Sequence, residues 1–138
     1  MPKSKNEDLQ KKYLELQIII EQISQIQQQI NSLQNNIFEL SNLMESISIL
    51  KEIKKDAESF SSLGSNIFVK TKIQDANELF VNVGSNIFVV KDLEETKLLV
   101  SSQINRVDQV IRESEIKLNQ LGEDGRLLES EIMEMTNK

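Results

Sequence analysis

Three carboxylates, Asp92, Glu94 and Glu95, crowd one short stretch of this chain, and two Gly-Ser-Asn triplets stand at 64–66 and 84–86. Clustered carboxylates suit general acid–base work, and glycine-rich turns can cradle phosphate. Neither chemistry finds its other parts. A phosphate loop needs Gly-Lys-Ser/Thr, and a dinucleotide site needs Gly-x-Gly-x-x-Gly; both are absent. Ser and Lys neighbours occur, but no nucleophile has a base set against it. There is no histidine and no cysteine, which removes the commonest general base, thiolate nucleophiles, disulfides and the usual zinc ligands. Acidic residues at a helix start are ordinary partners of the helix dipole. The reading is no enzyme, no cofactor and no metal. The glycine triplets read as hairpin turns.

Positions that chemistry does not claim must be claimed by structure. The 138 residues amount to a single domain, with one tyrosine, no tryptophan and a net charge of −6. Glu, Gln, Leu, Ile, Asn, Lys and Ser dominate, a mix that favours long helices buried along a seam. An acidic chain repels phosphate backbones, so nucleic acid is not an expected partner. The longest apolar run, Ile87 to Val90, is too short for a bilayer, and no apolar segment follows the first lysines as in a signal peptide. The expectation is no membrane association and a cytoplasmic location.

Leu16, Ile23, Ile30, Ile37 and Met44 recur every seven residues, and Ile19, Ile26, Leu33, Leu40 and Ile47 form a second row. These are the a and d positions of a coiled coil, with Leu9 extending the first row. A second arm opens at Asp92, with Glu95 placed for a capping box. Its rows are Leu93, Val100, Val107, Ser114, Leu121, Leu128, Met135 and Lys97, Ile104, Ile111, Leu118, Gly125, Ile132; all but Lys97, Ser114 and Gly125 are apolar. Each arm has roughly 45–50 residues, about 65–75 Å of helix. A chain that turns back between them pairs the arms antiparallel and puts Leu9 and Tyr13 near Ile132 and Met135. Gln22, Gln27, Gln29, Gln34 and Asn36 flank the first seam as a solvated face. Gly122 and Gly125 weaken the second helix, a feature that suits either a loosened end or a local defect. The acidic residues within 123–134 suit a solvated face, and could also keep ends apart or draw basic partners.

Between the arms the string Gly-Ser-Asn-Ile-Phe-Val occurs twice, at 64–69 and 84–89. Alternating runs flank each copy: Ile67, Val69, Thr71 and Ile73 share one face, and Leu79, Val81 and Val83 another. Gly and Asn supply the positive φ of tight turns. Two tandem hairpins follow, roughly 59–63 with 67–73 and 78–83 with 87–91. Isolated hairpins are not stable sheets, and these leave strand edges and phenylalanines exposed. The edges are therefore expected to pair with other subunits.

The order helix, two hairpins, helix resembles the α class of the prefoldin family. The stretch from Gly64 to Thr96 is most similar, above all Val83-Gly84, a further strand, then Lys91-Asp-Leu-Glu-Glu95 opening the second helix. The resemblance implies one domain over 1–138: a coiled-coil helix over 6–56, two assembly hairpins over 58–91 and a coiled-coil helix over 92–137. It implies a mainly α fold, a long antiparallel two-helix coiled coil with two tandem β-hairpins at the closed end. It implies an ATP-independent chaperone in a hexamer of two α and four β subunits, passing unfolded polypeptides to a group II chaperonin. Assembly would fall to Ile67, Phe68, Val69, Phe80, Val81, Val83, Ile87, Phe88 and Val89. Client contact would fall to Leu9, Tyr13, Leu16, Leu128, Ile132, Met133 and Met135, with methionine suited to adaptable apolar contact. A structural or adaptor coiled coil without client holding shares the same arms and hairpins.

Overall fold

The computed structural model describes residues 2–137. Helix α1 spans Pro2–Leu50, strands β1 to β4 span Ala57–Gly64, Ile67–Ile73, Leu79–Asn82 and Phe88–Lys91, and helix α2 spans Leu93–Thr136. Two long helices pack together as a coiled coil, and two small antiparallel hairpins lie between them in sequence, as the heptads and the repeat predict. The chain divides into two compact units: Met1–Asn36 with Val107–Lys138, and Ile37–Arg106.

In the first unit the seam residues of both helices turn inward. Ile30, Ile111 and Ile132 are buried, and Leu9, Leu16, Ile19, Ile23, Ile26, Leu33, Val107, Leu118, Leu121, Leu128 and Met135 are half-buried. The antiparallel register shows in the pairing of Lys12 with Glu131 and in Gly125 lying against Ile19 and Leu16. Complete burial of one such aliphatic stabilises by about 1.5–3 kcal/mol. Most here are only partly covered, so stability is spread thinly along the seam.

Gly125 is buried, whereas Gly122 faces open space. A Cβ at 125 would sit 3.4 Å from Ile19 Cγ2 and 3.9 Å from Leu16 Cδ1, ordinary contact distances. Gly125→Ala should therefore gain helix propensity without a clash, stabilising by about 0.5–1 kcal/mol. A raised thermal midpoint is the expected result. A lowered one would show that the helices need the closer approach that glycine permits.

In the second unit, Ile47, Leu93 and Val100 form the core, with Leu40, Met44, Leu50, Leu79 and Ile104 packed around it. Helix α1 ends at Leu50 rather than at 56. The next two seam positions are Lys51 and Lys54, which cannot continue an apolar row. The last turn tightens through Glu52 N–H to Ile49 O at 3.0 Å and Ile53 N–H to Leu50 O at 3.2 Å. The first hairpin consequently starts earlier than expected, with Ala57 opposite Ile73 and the Asp56 N–H bonded to Ile73 O at 2.8 Å.

Helix α2 begins as a capped helix. Glu95 N–H donates to Asp92 Oδ1 at 2.8 Å, the cap that the sequence predicts, and such a cap contributes about 1 kcal/mol. The reciprocal half of the capping box is not formed; the Glu95 carboxylate lies 3.9 Å from Lys91 instead. A second cap comes from the connection between the hairpins. Leu93 N–H donates to Asn77 Oδ1 at 3.1 Å, and Asn77 N–H in turn donates to Asp75 Oδ1 at 2.9 Å.

Candidate functional site

The repeated motif builds two copies of one turn. Gly64, Ser65 and Asn66 have φ of 107°, 50° and 63°; Gly84, Ser85 and Asn86 have 123°, 50° and 60°. Positive φ at two successive central residues is what a type I′ hairpin turn requires. Serine therefore shares the left-handed conformation expected of Gly and Asn alone. A side chain two residues back receives each glycine N–H: Ser62 Oγ at 3.2 Å in the first hairpin and Asn82 Oδ1 at 3.0 Å in the second. Leu63 has no partner in the ladder between Ser62↔Phe68 and Gly64↔Ile67, which marks a bulge.

The strands form two separate two-stranded sheets, β1 with β2 and β3 with β4. Each sheet therefore has two open edges. In the second hairpin Leu79, Val81, Val89 and Lys91 share the half-buried face, and Phe80, Asn82, Phe88 and Val90 share the exposed one. In the first, Ala57, Ser59, Thr71 and Ile73 are half-buried. Of the residues expected at an assembly surface, Ile67, Phe68, Val69, Phe80, Val83, Ile87 and Phe88 are exposed, Phe80 at 70%; Val81 and Val89 are half-buried and pair with each other. Phe60, Leu63 and Val90 are exposed apolar residues of the same hairpins that the sequence reading did not select. Phe60 alternates with half-buried Ser59 along β1, and Val90 shares the exposed side of its hairpin with its cross-strand partner Phe80.

The residues expected to touch clients all lie in the first unit, toward the start of α1 and the end of α2. Tyr13 and Met133 are exposed, at 50% and 63%. Leu9, Leu16, Leu128 and Met135 are half-buried on the seam, and Ile132 is buried. Leu14, Ile18, Ile20 and Leu127 are exposed apolar residues in the same unit. Their signal in the sequence was negative: apolar side chains that fit neither seam row.

Ion pairs tie the helices by their flanks. Lys51 Nζ lies 2.9 Å from Glu94 Oε1. The hydrogen bond from Lys51, followed by its charge, holds the Glu94 carboxyl below its ordinary 4.5, and Glu94 reciprocally raises the Lys51 ammonium above 10.5. Lys12 is raised in the same way by its hydrogen bond to Glu131. The contribution of the Glu94 pairing is present above 4.5 and is lost as pH falls through the lower folded value. Seen from Lys51, it is present below 10.5 and is lost as pH rises through the higher folded value. Both groups are exposed, so salt screens the pair strongly.

An open cleft of about 920 Å³ in the second unit is lined by Leu50, Lys51, Ile53, Lys55, the 74–78 connection, Phe80, Leu93 and Glu94. Among the described residues, no group of histidine, cysteine, aspartate and glutamate is placed to hold a metal ion, and no helix is long and apolar enough to cross a membrane. What the arrangement offers is exposed apolar surface on small open-edged sheets, and adaptable apolar side chains along a two-helix seam.

Comparison with known proteins agrees with this geometry. No curated protein matches the chain. A solved structure, the filamentous PFD of Methanocaldococcus jannaschii determined by cryo-EM, shares the fold with a TM-score of 0.77 at 22% identity, covering 84% of this chain and 96% of that one. The family model described as "Prefoldin subunit" matches residues 19–138, most of the chain, and the protein therefore belongs to the prefoldin family.

Proposed function

We propose that this chain is an α-type prefoldin subunit. Its hairpins join those of β-type subunits in a hexamer of two α and four β chains, and its coiled coil holds non-native polypeptides and passes them to a group II chaperonin in the cytoplasm. Binding rather than catalysis is the activity, and no cofactor is required. The observation that carries this reading is the pair of open-edged sheets with phenylalanines exposed on both, a surface that a lone chain leaves in water. Membership of the prefoldin family supports a chaperone-type subunit, and two hairpins rather than one support the α assignment.

Client holding draws on the exposed apolar residues of the first unit. Tyr13 and Met133 are free to contact a client without opening the seam, whereas Leu9, Leu16, Leu128, Ile132 and Met135 contribute only as the ends of the helices part. Unfolded clients present scattered apolar groups of no fixed shape, and a flexible methionine adapts to them.

The test is aggregation of a denatured protein, followed by light scattering without ATP. The complex assembled with a β-type subunit should suppress scattering at stoichiometric ratio, and Tyr13→Asp with Met133→Asp should reduce that protection while leaving assembly intact. No protection by the unaltered complex would favour a structural or adaptor role.

A further inference from the structure

The two hairpins share a turn but not a foundation. The first is held by its own ladder, which runs from Ala57↔Ile73 to Gly64↔Ile67. Ser61 Oγ and Thr71 Oγ1 meet across it at 3.4 Å, and Lys70 Nζ lies 3.4 Å from Glu58 Oε2. Among the described residues, no hydrogen bond or ion pair joins β1 or β2 to a helix. Neither strand gives a side chain to the cluster of Ile47, Leu93 and Val100 or to the residues packed around it. The first hairpin hangs on two tethers, 51–56 and 74–78. Asp56 takes a φ of 64° where the first tether enters β1, a left-handed turn that aspartate tolerates.

The second hairpin has the shorter ladder, Leu79↔Lys91 to Asn82↔Phe88, and is held from outside. Leu79, its first residue, packs against the core cluster. Two residues earlier, Asn77 Oδ1 accepts the Leu93 N–H at 3.1 Å, and Asp75 Oδ1 fixes Asn77 by accepting its N–H at 2.9 Å. At the other end only Asp92 separates β4 from α2. The start of α2 is itself firm. Asp92 Oδ1 accepts the Glu95 N–H at 2.8 Å, and the hydroxyl of buried Thr96 donates to Asp92 O at 2.7 Å. Both ends of the second hairpin are thus tied to the first turn of α2, β4 by the chain itself and β3 by Asn77 and Leu79.

We propose that Asn77 is a positioning residue for assembly: its side chain locks the base of the second hairpin to helix α2, so that this hairpin meets a partner in a preset orientation while the first is left to adjust. The proposal rests on reading the hairpins as assembly elements and goes beyond it by giving them unequal tasks. A preset edge loses little conformational freedom on docking, whereas a tethered hairpin must be ordered as it docks. Loss of a side-chain acceptor at a helix start shifts such an equilibrium by about fivefold.

Spin labels test this on the chain alone, which has no native cysteine. Ser65→Cys and Ser85→Cys put a label at the same place in the two matching turns, and Ser101→Cys, at an exposed position of α2, gives a common reference. With labelled chain diluted in unlabelled chain, pulsed electron resonance reads the 65–101 and 85–101 distance distributions. The first should be broad and the second narrow. Asn77→Ala should broaden the second and leave the first as it was. Asn77→Asp keeps an oxygen acceptor and should restore the narrow distribution. Circular dichroism should show the same helix content throughout, because Asp92 still caps α2. Asn77→Ala should also weaken combination with a β-type subunit by about fivefold, and Asn77→Asp should recover it. Equal widths in the unaltered chain, an 85–101 distribution indifferent to Asn77→Ala, or a broadened one with undiminished combination would each overturn the proposal. Expected distributions in an unaltered chain that never combines with a β-type subunit would remove the assembly reading and the positioning role with it, leaving Asn77 a structural cap.

Discussion

Ile47→Asp unfolds the hairpin-bearing unit. Ile47 is 3% exposed and packs in one cluster with Leu93 and Val100, around which Leu40, Met44, Leu50, Leu79 and Ile104 gather. Leu79 belongs to β3, so this cluster joins the second hairpin to the helices that carry it. Truncation of such a residue to alanine costs about 2–5 kcal/mol. Aspartate adds a carboxylate with no cation in the cluster to receive it, and the total should exceed about 5 kcal/mol. Ile49→Asp is the control. Ile49 lies two positions along the same helix but is exposed, and its substitution should cost within about 0.5–1 kcal/mol. Thermal denaturation followed by circular dichroism reads both. Equal losses would mean that the seam does not carry the stability of this unit.

The second large effect is on assembly. Phe80 and Phe88 stand on the exposed face of the second hairpin, Phe80 beside Val90 and Phe88 beside Asn82 across the ladder. Truncation of a buried aromatic at the centre of an interface costs about 2 kcal/mol or more, near 30-fold in affinity for each residue. A lysine adds the cost of desolvating a charge. Phe80→Lys with Phe88→Lys should therefore weaken combination with a β-type prefoldin subunit by about 1,000-fold, with helix content unchanged. Phe38→Lys is the control, since Phe38 is about equally exposed but belongs to α1 and not to a strand. Sedimentation of the mixed subunits reads the outcome. An unaltered complex in the double variant, or a lost one with Phe38→Lys, would place the interface elsewhere.

The parts of this fold that were legible in the sequence are those governed by local periodicity. Seven-residue spacing marks inward-facing residues whatever the partner helix is. From Ser4 onward, every residue of α1 that is not exposed lies on a seam row or its continuation, apart from Leu50. Lys12 is half-buried because it stands one heptad before Ile19, where the second row continues toward the N-terminus. Even the weak positions of α2 kept their place, with Lys97 and Ser114 half-buried and Gly125 buried. The hairpins were legible because glycine and asparagine mark turns and the motif is repeated. The end of α1 was misplaced at 56, because the helix was carried past Lys51 and Lys54, the seam positions at which the apolar row stops.

What was not legible depends on contacts between distant residues. The Asn77 side chain reaches the amide of Leu93 only because the connection between the hairpins returns to the start of α2. Glu95 turns to Lys91 instead of closing the capping box, a choice between two nearby partners that spacing does not decide. At the candidate client surface the period gave the wrong emphasis for accessibility. It selects seam residues such as Ile132, whereas free surface belongs to Tyr13 and Met133, which were selected off the seam, and to Leu14 and Leu127, which were not.

Hydrogen exchange of the strand amides in the presence and absence of a β-type prefoldin subunit addresses the central claim most directly. The open edges of β1 to β4 should gain protection when the subunits combine, while amides in the middle of α1 and α2 stay as they were. Combination that leaves the strand amides exchanging at their original rates, with protection appearing along the helices instead, would contradict the account.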